Sequence, residues 1–497
     1  MPHNIAPHRG AVAAAVLATA LLAGCAGTGG LRSTAVANDP ASLHAERSLA
    51  GVKLDAAAWP RSDWWKTIGD PQLDKLVDEA LAGNPDMALA DARVRAALAA
   101  AGAADAARKP TLNGGAAVAG ARVPPLLPPL ASGHFGVIKY GYLSFKWDLD
   151  LWGGKRAAWQ AAVGNARAAE IDAQAARMKL SADVVQAYFD LAGAYAQRDL
   201  AQAELQRAED FLALTRKRVA SGIDSKFSLA RIEGETASDR AHLEAADNAV
   251  HTSGLVLAAL LGRGPDRALS IARPASPALP ALALPSDLPA DLLGRRPDVV
   301  AARWRVEAAS QDIKAAKAKF LPNLGISSLA GLIAPSSLDL FSLTNRFYTI
   351  SPALSLPIFE GGALRANLAG KDAARDIAVA QYNQTLVHAV NQVAAQVDDL
   401  RSLDAQVRDA ESARASADNA YKLAMQRYRA GVGNFLEALS VRQELIAAEQ
   451  QLAALQTRRS NAWAMLNEAL GGGFEPARDA PSLAAAHDTP SEPKAIR

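Results

Sequence analysis

Few side chains in this 497-residue chain have the types and spacing that chemistry needs. There is one cysteine, Cys25, so no intrachain disulfide is possible. None of the 8 histidines is paired at zinc-ligand spacing, and no metal or cofactor is expected. A Gly-x-x-x-x-Gly-Lys-Ser/Thr loop, a His-Glu-x-x-His helix and a Gly-x-Ser-x-Gly elbow are all missing from the sequence, which argues against an enzyme. Gly153-Gly154, Gly361-Gly362 and Gly471-Gly472-Gly473 fall at helix ends, where glycine supplies turns and caps rather than a phosphate cradle. What remains is charge at two turns. Thr215-Arg216-Lys217-Arg218 precedes Ser221-Gly222, and Arg427 with Arg429 precedes Gly431. Glycine accommodates positive φ, so the chain can reverse there. Basic side chains at a helix C-terminus complement its dipole by about 0.3–1 kcal/mol each, which accounts for their sign without a partner.

The elements that must position these turns are unusually long. Gly154–Leu261 reads as a helix of roughly 60 residues, a break at Ser221-Gly222 and a second helix of roughly 35, so the first would span on the order of 90–100 Å. Leu180, Val184, Leu191 and Tyr195, then Leu243, Val250, Leu257 and Leu261, recur at helical spacing. The chain then repeats itself. Pro297, Arg305 and Pro322 lie 212 residues after Pro85, Arg93 and Pro110. Gly361-Gly362 follows Gly153-Gly154 by 208 residues, and Arg427 and Gly431 follow Arg218 and Gly222 by 209. The second hairpin carries its own seam at Val390, Val393, Val397, Leu400 and Val407.

Each copy also holds two strands. Val137, Gly141, Leu143, Phe145, Trp147 and Leu149 share one face, with Lys139 the exception; Tyr140, Tyr142, Ser144, Lys146, Asp148 and Asp150 take the other. Ile350, Pro352, Leu354, Leu356 and Ile358 alternate in the same way. One apolar and one polar face over ten or so residues suits a lipid-facing barrel strand, although the alternation alone also fits a half-buried strand on a soluble core. The partner strands at 112–123 and 324–334 are rich in Gly and Ala, and prolines at 124–129 and Pro335 stop strand extension at an exposed end. Four strands cannot close a barrel, which needs about eight, and an open edge in lipid leaves backbone groups unpaired at several kcal/mol each. Several chains must therefore share one barrel; three would supply about twelve strands.

The N-terminus bears on location. Ala11–Ala23 is an apolar run too short to span a membrane, and it ends in Leu22-Ala23-Gly24-Cys25, which resembles a bacterial lipobox. Cys25 is then the acylated first residue of the mature chain, and Ala26 in place of Asp is similar to lipoproteins sent to the outer membrane. No later stretch is long and apolar enough for a transmembrane helix. A net charge of +2 gives no basic face for nucleic acid.

Taken together, the chain resembles the TolC/OprM-type outer-membrane efflux proteins, in their NodT-like lipoprotein branch. The resemblance rests on Trp64-Trp65, Asp70-Pro71, Leu73, Ala80-Leu81, Asn84, Asp86, Ala90 and Arg93-Val94. It rests also on Leu292-Leu293-Gly294-Arg295-Arg296-Pro297-Asp298-Val299, on Leu356-Pro357-Ile358-Phe359-Glu360-Gly361-Gly362 and on the two hairpin turns. It implies a membrane β-barrel plus a long α-helical barrel: a homotrimer sharing a twelve-stranded barrel, with its helices in the periplasm. It implies an exit duct for drugs or small molecules, working with a periplasmic membrane-fusion adaptor and an inner-membrane resistance-nodulation-division (RND) transporter. The expected organisation is a signal peptide at 1–24, a lipidated arm at 25–70, repeat 1 at 71–270, a linker at 271–295, repeat 2 at 296–474 and a tail at 475–497. Strands are expected near 111–123, 136–151, 323–334 and 346–358, and hairpins near 154–261 and 362–470. By the same resemblance Arg218, Gly222, Ser225, Arg427 and Gly431 dock the adaptor, with Asn434 standing where the second turn would carry Ser. Tyr428 and Glu437 become gate residues; Ser440 and Ser228 replace acids that relatives carry. Val137, Leu143, Phe145, Trp147 and Leu149 face outer-membrane lipid. A polypeptide-secretion duct and a poreless periplasmic scaffold remain alternatives; the lipobox and the Arg-Arg-Pro-Asp-Val segment favour efflux over secretion, and the amphipathic strand argues against the scaffold.

Overall fold

The computed structural model describes residues 27–39, 42–43, 59–122, 135–275, 279, 292–335 and 339–475. Cys25, the signal segment before it and the prolines at 124–129 lie outside the described residues. The first copy of the repeat is α2 (Pro85–Ala106), β1 (Thr111–Arg122), β2 (Phe135–Leu149), α3 (Gly154–Ala220) and α4 (Lys226–Leu260), preceded by α1 (Pro71–Gly83). The second is α5 (Pro297–Ala318), β3 (Asn323–Pro335), β4 (Arg346–Ser355), α6 (Ala363–Arg429) and α7 (Phe435–Ala469). The duplication holds to the residue: α3 and α6 each have 67 residues, and α4 and α7 each have 35. At about 1.5 Å per residue the longer pair spans on the order of 100 Å.

Local chemistry sets the helix starts. Asp70 accepts hydrogen bonds from the Gln72 and Leu73 amides ahead of α1, and Asn84 accepts one from Asp86 ahead of α2; Pro71 and Pro85 take the first helical position, where no amide is needed. The Arg-Arg-Pro-Asp-Val segment is a joint. Arg296 is buried and donates to Asp298 (2.7 Å), to Gln392 Oε1 on α6 (2.9 Å) and to the Ala469 carbonyl at the end of α7 (3.0 Å), so one guanidinium ties three helices. The main apolar core lies where both hairpins meet this joint. Trp64, Trp65, Leu73 and Val77 pack there with Val184, Tyr188 and Leu191 of α3, Val393 and Val397 of α6, and Trp463 and Leu466 of α7. Trp64 meets Trp463 edge-on at 5.5 Å.

The four strands form one antiparallel sheet in the order β1-β2-β3-β4, with β1 and β4 at its edges. β2 ends at Leu149 and β4 at Ser355, so Leu356 and Ile358 lie past the strand that was expected to carry them. Residues 27–38 run along the start of α6. The Arg365 guanidinium donates to the Gly27 carbonyl (3.3 Å), Asp376 accepts from the Ala35 amide (3.0 Å), and Asn383 accepts from the Asn38 amide (2.7 Å). No described helix is long and apolar enough to cross a membrane.

Candidate functional site

Two places concentrate the residues singled out from the sequence: the paired hairpin turns and one face of the sheet. At the turns, α3 reverses into α4 through Gly222 (φ 71°), and α6 into α7 through Gly431 (φ 78°), where a side chain would be strained. Ser225 and Asn434 are the N-caps of the returning helices. Ser225 Oγ accepts from the Ser228 amide (3.2 Å), and Asn434 Oδ1 accepts from the Glu437 amide (2.7 Å). Asn thus replaces Ser because either oxygen caps a helix.

The two turns differ where they touch. Arg218 is turned inward, its side chain 11% exposed, whereas its counterpart Arg427 is 58% exposed. The Arg218 guanidinium donates to Asp224 (Nε to Oδ2, 2.8 Å) and to the Tyr428 carbonyl (2.8 Å), and it lies over the Tyr428 ring at 4.4 Å. The Tyr428 hydroxyl donates to the same Asp224 carboxylate and lies 3.2 Å from Thr215 Oγ1, which is left to donate to it. The ring is fully buried, packed edge-on against Phe211 (5.2 Å) beside Phe435, Ile232 and Leu439. Burial pushes the Tyr428 hydroxyl up to about 12, and the bond to Asp224 adds to the shift. Burial alone would raise Asp224, but the bonds from Arg218 and Tyr428 outweigh it and hold the carboxyl below its usual range.

Arg218, expected to be a docking residue, has its guanidinium turned into this cluster. Asp224, which holds the cluster together, was missed. The repeat offset held the signal: 209 residues on, Asp224 becomes Gly433, and 209 residues back, Tyr428 becomes Val219. Each is a polar residue that only one copy has, and the contact joins them across the copies. Glu437 sits in the first turn of α7 with Arg427 Nη1 3.7 Å from its carboxylate. Four apolar side chains surround the turns in exposed, repeat-related pairs, Ile223 with Val432 and Phe227 with Leu436.

On the sheet, register decides what shares a face. Phe145 stands opposite Leu112 of β1 and Ser328 of β3, and Ser328 opposite Ile350 of β4. Leu149, Leu324 and Leu354 form one row, and Trp147, Ile326 and Pro352 another. Val137, Leu143, Phe145, Trp147 and Leu149 therefore belong to a single apolar surface crossing all four strands. The opposite face carries Tyr140, Tyr142, Ser144, Lys146 and Asp148 with Ser327, Thr349 and Ser351. Among the described residues no group of three or more His, Cys, Asp or Glu side chains is placed to hold a metal ion.

The profile of a family described as outer membrane efflux protein matches residues 76–263 and 288–472. The fusaric acid resistance protein FusA of Burkholderia cepacia is 37% identical over 373 residues, 73% of this chain and 70% of its own length. The multidrug resistance outer membrane protein MdtP of Escherichia coli (strain K12) is 30% identical over 435 residues, 85% of this chain and 89% of its own. The crystal structure of the outer membrane protein VceC from Vibrio cholerae superposes with a TM-score of 0.80 at 35% identity, covering 84% of this chain and 100% of that one.

Proposed function

The chain belongs to the outer membrane efflux protein family and is an outer-membrane channel for efflux, and from that premise we propose that three copies close one barrel and one helical duct. The observation that carries this reading is the four-stranded sheet with a continuous apolar face and two edge strands. Such a sheet is stable in lipid only if β1 and β4 pair with neighbouring copies, since each unpaired backbone group costs several kcal/mol there. Three copies supply about twelve strands, enough for a closed barrel. The apolar face then meets lipid and the polar face lines the passage. The α3–α4 and α6–α7 hairpins of three copies supply about twelve helical rods for the wall below. The relatives' names speak of resistance to fusaric acid and to multiple drugs, and the cargo proposed here is likewise small organic molecules.

The turns are proposed as the working end, pressed against a periplasmic adaptor that links the duct to an inner-membrane RND transporter. Gly222 and Gly431 shape that end, Ser225 and Asn434 cap it, and Arg427 with the exposed Ile223, Phe227, Val432 and Leu436 offers contact surface. Tyr428, Asp224 and Arg218 are proposed as a latch holding the two hairpins together at the constriction, with Glu437 beside it. Cys25 is proposed as the lipid anchor. The arm supports this, because residue 27 lies beside Arg365, in the first turn of α6 and ten residues past the end of β4.

Light scattering of the detergent-purified protein, together with single-channel recording in a planar bilayer, tests the reading. Three chains per particle and discrete currents are expected; a monomer that passes no current would support a poreless scaffold instead.

A further inference from the structure

Five charged residues occur in the strands, and the register sorts them by face. Lys146 and Asp148 share the polar face, and Asp148 is paired with Lys155 (3.2 Å). Arg122, Lys139 and Arg346 all fall on the apolar face: Arg122 is opposite Phe135, Lys139 opposite Val118 and Ala334, and Arg346 opposite Leu332. All three are cationic, and no Asp or Glu of the strands joins them. Among the described residues neither Lys139 nor Arg346 makes an ion pair.

Their height is as selective as their sign. The helices leave the sheet at the Leu149 and Ser355 end, and these three residues lie toward the other end. Between Leu149 and Gly141 the face carries no charge; that is eight residue steps, or about 26 Å along the strand and roughly 20 Å along the membrane normal at the usual tilt. The apolar band of an outer-membrane barrel is about 25 Å tall, so Lys139 and Arg346 stand at its upper margin. A Lys or Arg on the lipid face is strongly destabilising at the midplane but costs little at that margin, where the stem covers apolar surface and the charge reaches the headgroups.

We propose that Lys139 and Arg346, with Arg122 on the same face, form a cationic rim that binds the phosphate-bearing headgroups of the outer-leaflet lipid. The inference rests on the apolar face being the lipid-facing one and names the lipid it selects. Copies around a closed barrel would repeat the rim, so the channel would hold a ring of phosphorylated lipid at its outer margin and a neutral annulus below.

The test uses the full-length channel reconstituted in nanodiscs of phosphatidylcholine doped with lipid A or with dephosphorylated lipid A. Lipid retention is read by native mass spectrometry after release into detergent, with inorganic phosphate added in a competing arm. Wild type should retain lipid A over its dephosphorylated form, and retention should fall about fivefold for each charge removed in Lys139→Gln and Arg346→Gln. Inorganic phosphate should not displace the lipid. A nitroxide on Leu143→Cys reports the face in the same discs. Equal retention by wild type and the double variant, with the nitroxide in lipid, overturns the rim and leaves the lipid-facing assignment standing. A nitroxide exposed to water overturns both.

Discussion

The tip cluster shows what single side chains decide. Arg218 and Arg427 are repeat equivalents, yet one is turned inward and the other is exposed, because only Arg218 has an Asp224 and a Tyr428 within reach. The turns themselves were legible, since Gly, a capping residue and flanking arginines follow from local backbone needs. The Arg218–Asp224–Tyr428 cluster was not, because its atoms come from residues 204 and 210 apart and no periodicity links them. Tyr428→Phe removes a bond to a charged acceptor worth about 1.5–3 kcal/mol, so open time in bilayer recordings should rise about tenfold or more. Asp224→Asn should do the same, and the double variant should exceed neither single one by much, because both open the same hydrogen-bonded cluster. The pH dependence follows from the directions of the shifts. Asp224 is depressed, so its contribution is complete above its ordinary value of 3.8 and is lost as pH falls through its lower folded value. Tyr428 is raised to about 12, so its contribution is intact below 10 and is lost as pH rises through 12. Wild-type currents should therefore be insensitive to pH between these limits and grow under strong acid; growth centred near neutrality would contradict the assignment.

Among the elements, the returning helices α4 and α7 are capped by Ser225 and Asn434, and a buried ionic cluster crosses the hairpin wall. The equal lengths of α3 and α6 were readable from the repeat offset, and the strand faces from a period of two. The register between strands was not readable, nor was the docking of residues 27–38 on α6, since both rest on contacts distant in sequence. Asn434→Ala and Ser225→Ala should each cost about 1 kcal/mol in thermal melts. In the hairpin wall, Arg442 of α7 is wholly buried against Asp239 of α4, while Arg207 of α3 bonds Glu449 of α7 (2.5 Å). Glu204 of α3 is buried beside them, with its Oε1 lacking a hydrogen-bond partner in the chain. Burial drives its pKa up to about 7, against the pull of Arg207 and Arg442. Between 4.5 and 7 the folded chain keeps a proton that the unfolded chain has lost, so stability falls as pH rises through that window and levels off above it. Glu204→Gln should therefore raise stability above pH 7 by up to about 3 kcal/mol, with no gain near pH 4.5. Destabilisation by this variant at pH 8 would show that the carboxylate is a paired member of the cluster.

For the whole molecule, the incomplete parts agree with one another. A four-stranded sheet with two edges and two rods of about 100 Å each need neighbours that one chain cannot supply, whereas the arm at residues 27–38 finds its partners on α6 of the same chain. The need for neighbouring strands is legible in the sequence, because four strands are too few to close a barrel. Cys25→Ser should abolish acyl labelling while leaving assembly intact; continued labelling would remove the anchor from the account. In the assembled channel β1 of one copy is expected to pair with β4 of the next. The most direct measurement is disulfide cross-linking in intact outer membranes, with Ala116→Cys on β1 held fixed and single cysteines walked from Phe347 to Ser355 on β4 in a Cys25→Ser background. Alternating positions should yield covalent dimers and trimers, with the intervening positions silent. Cross-links at no position, or only within single chains, would contradict it.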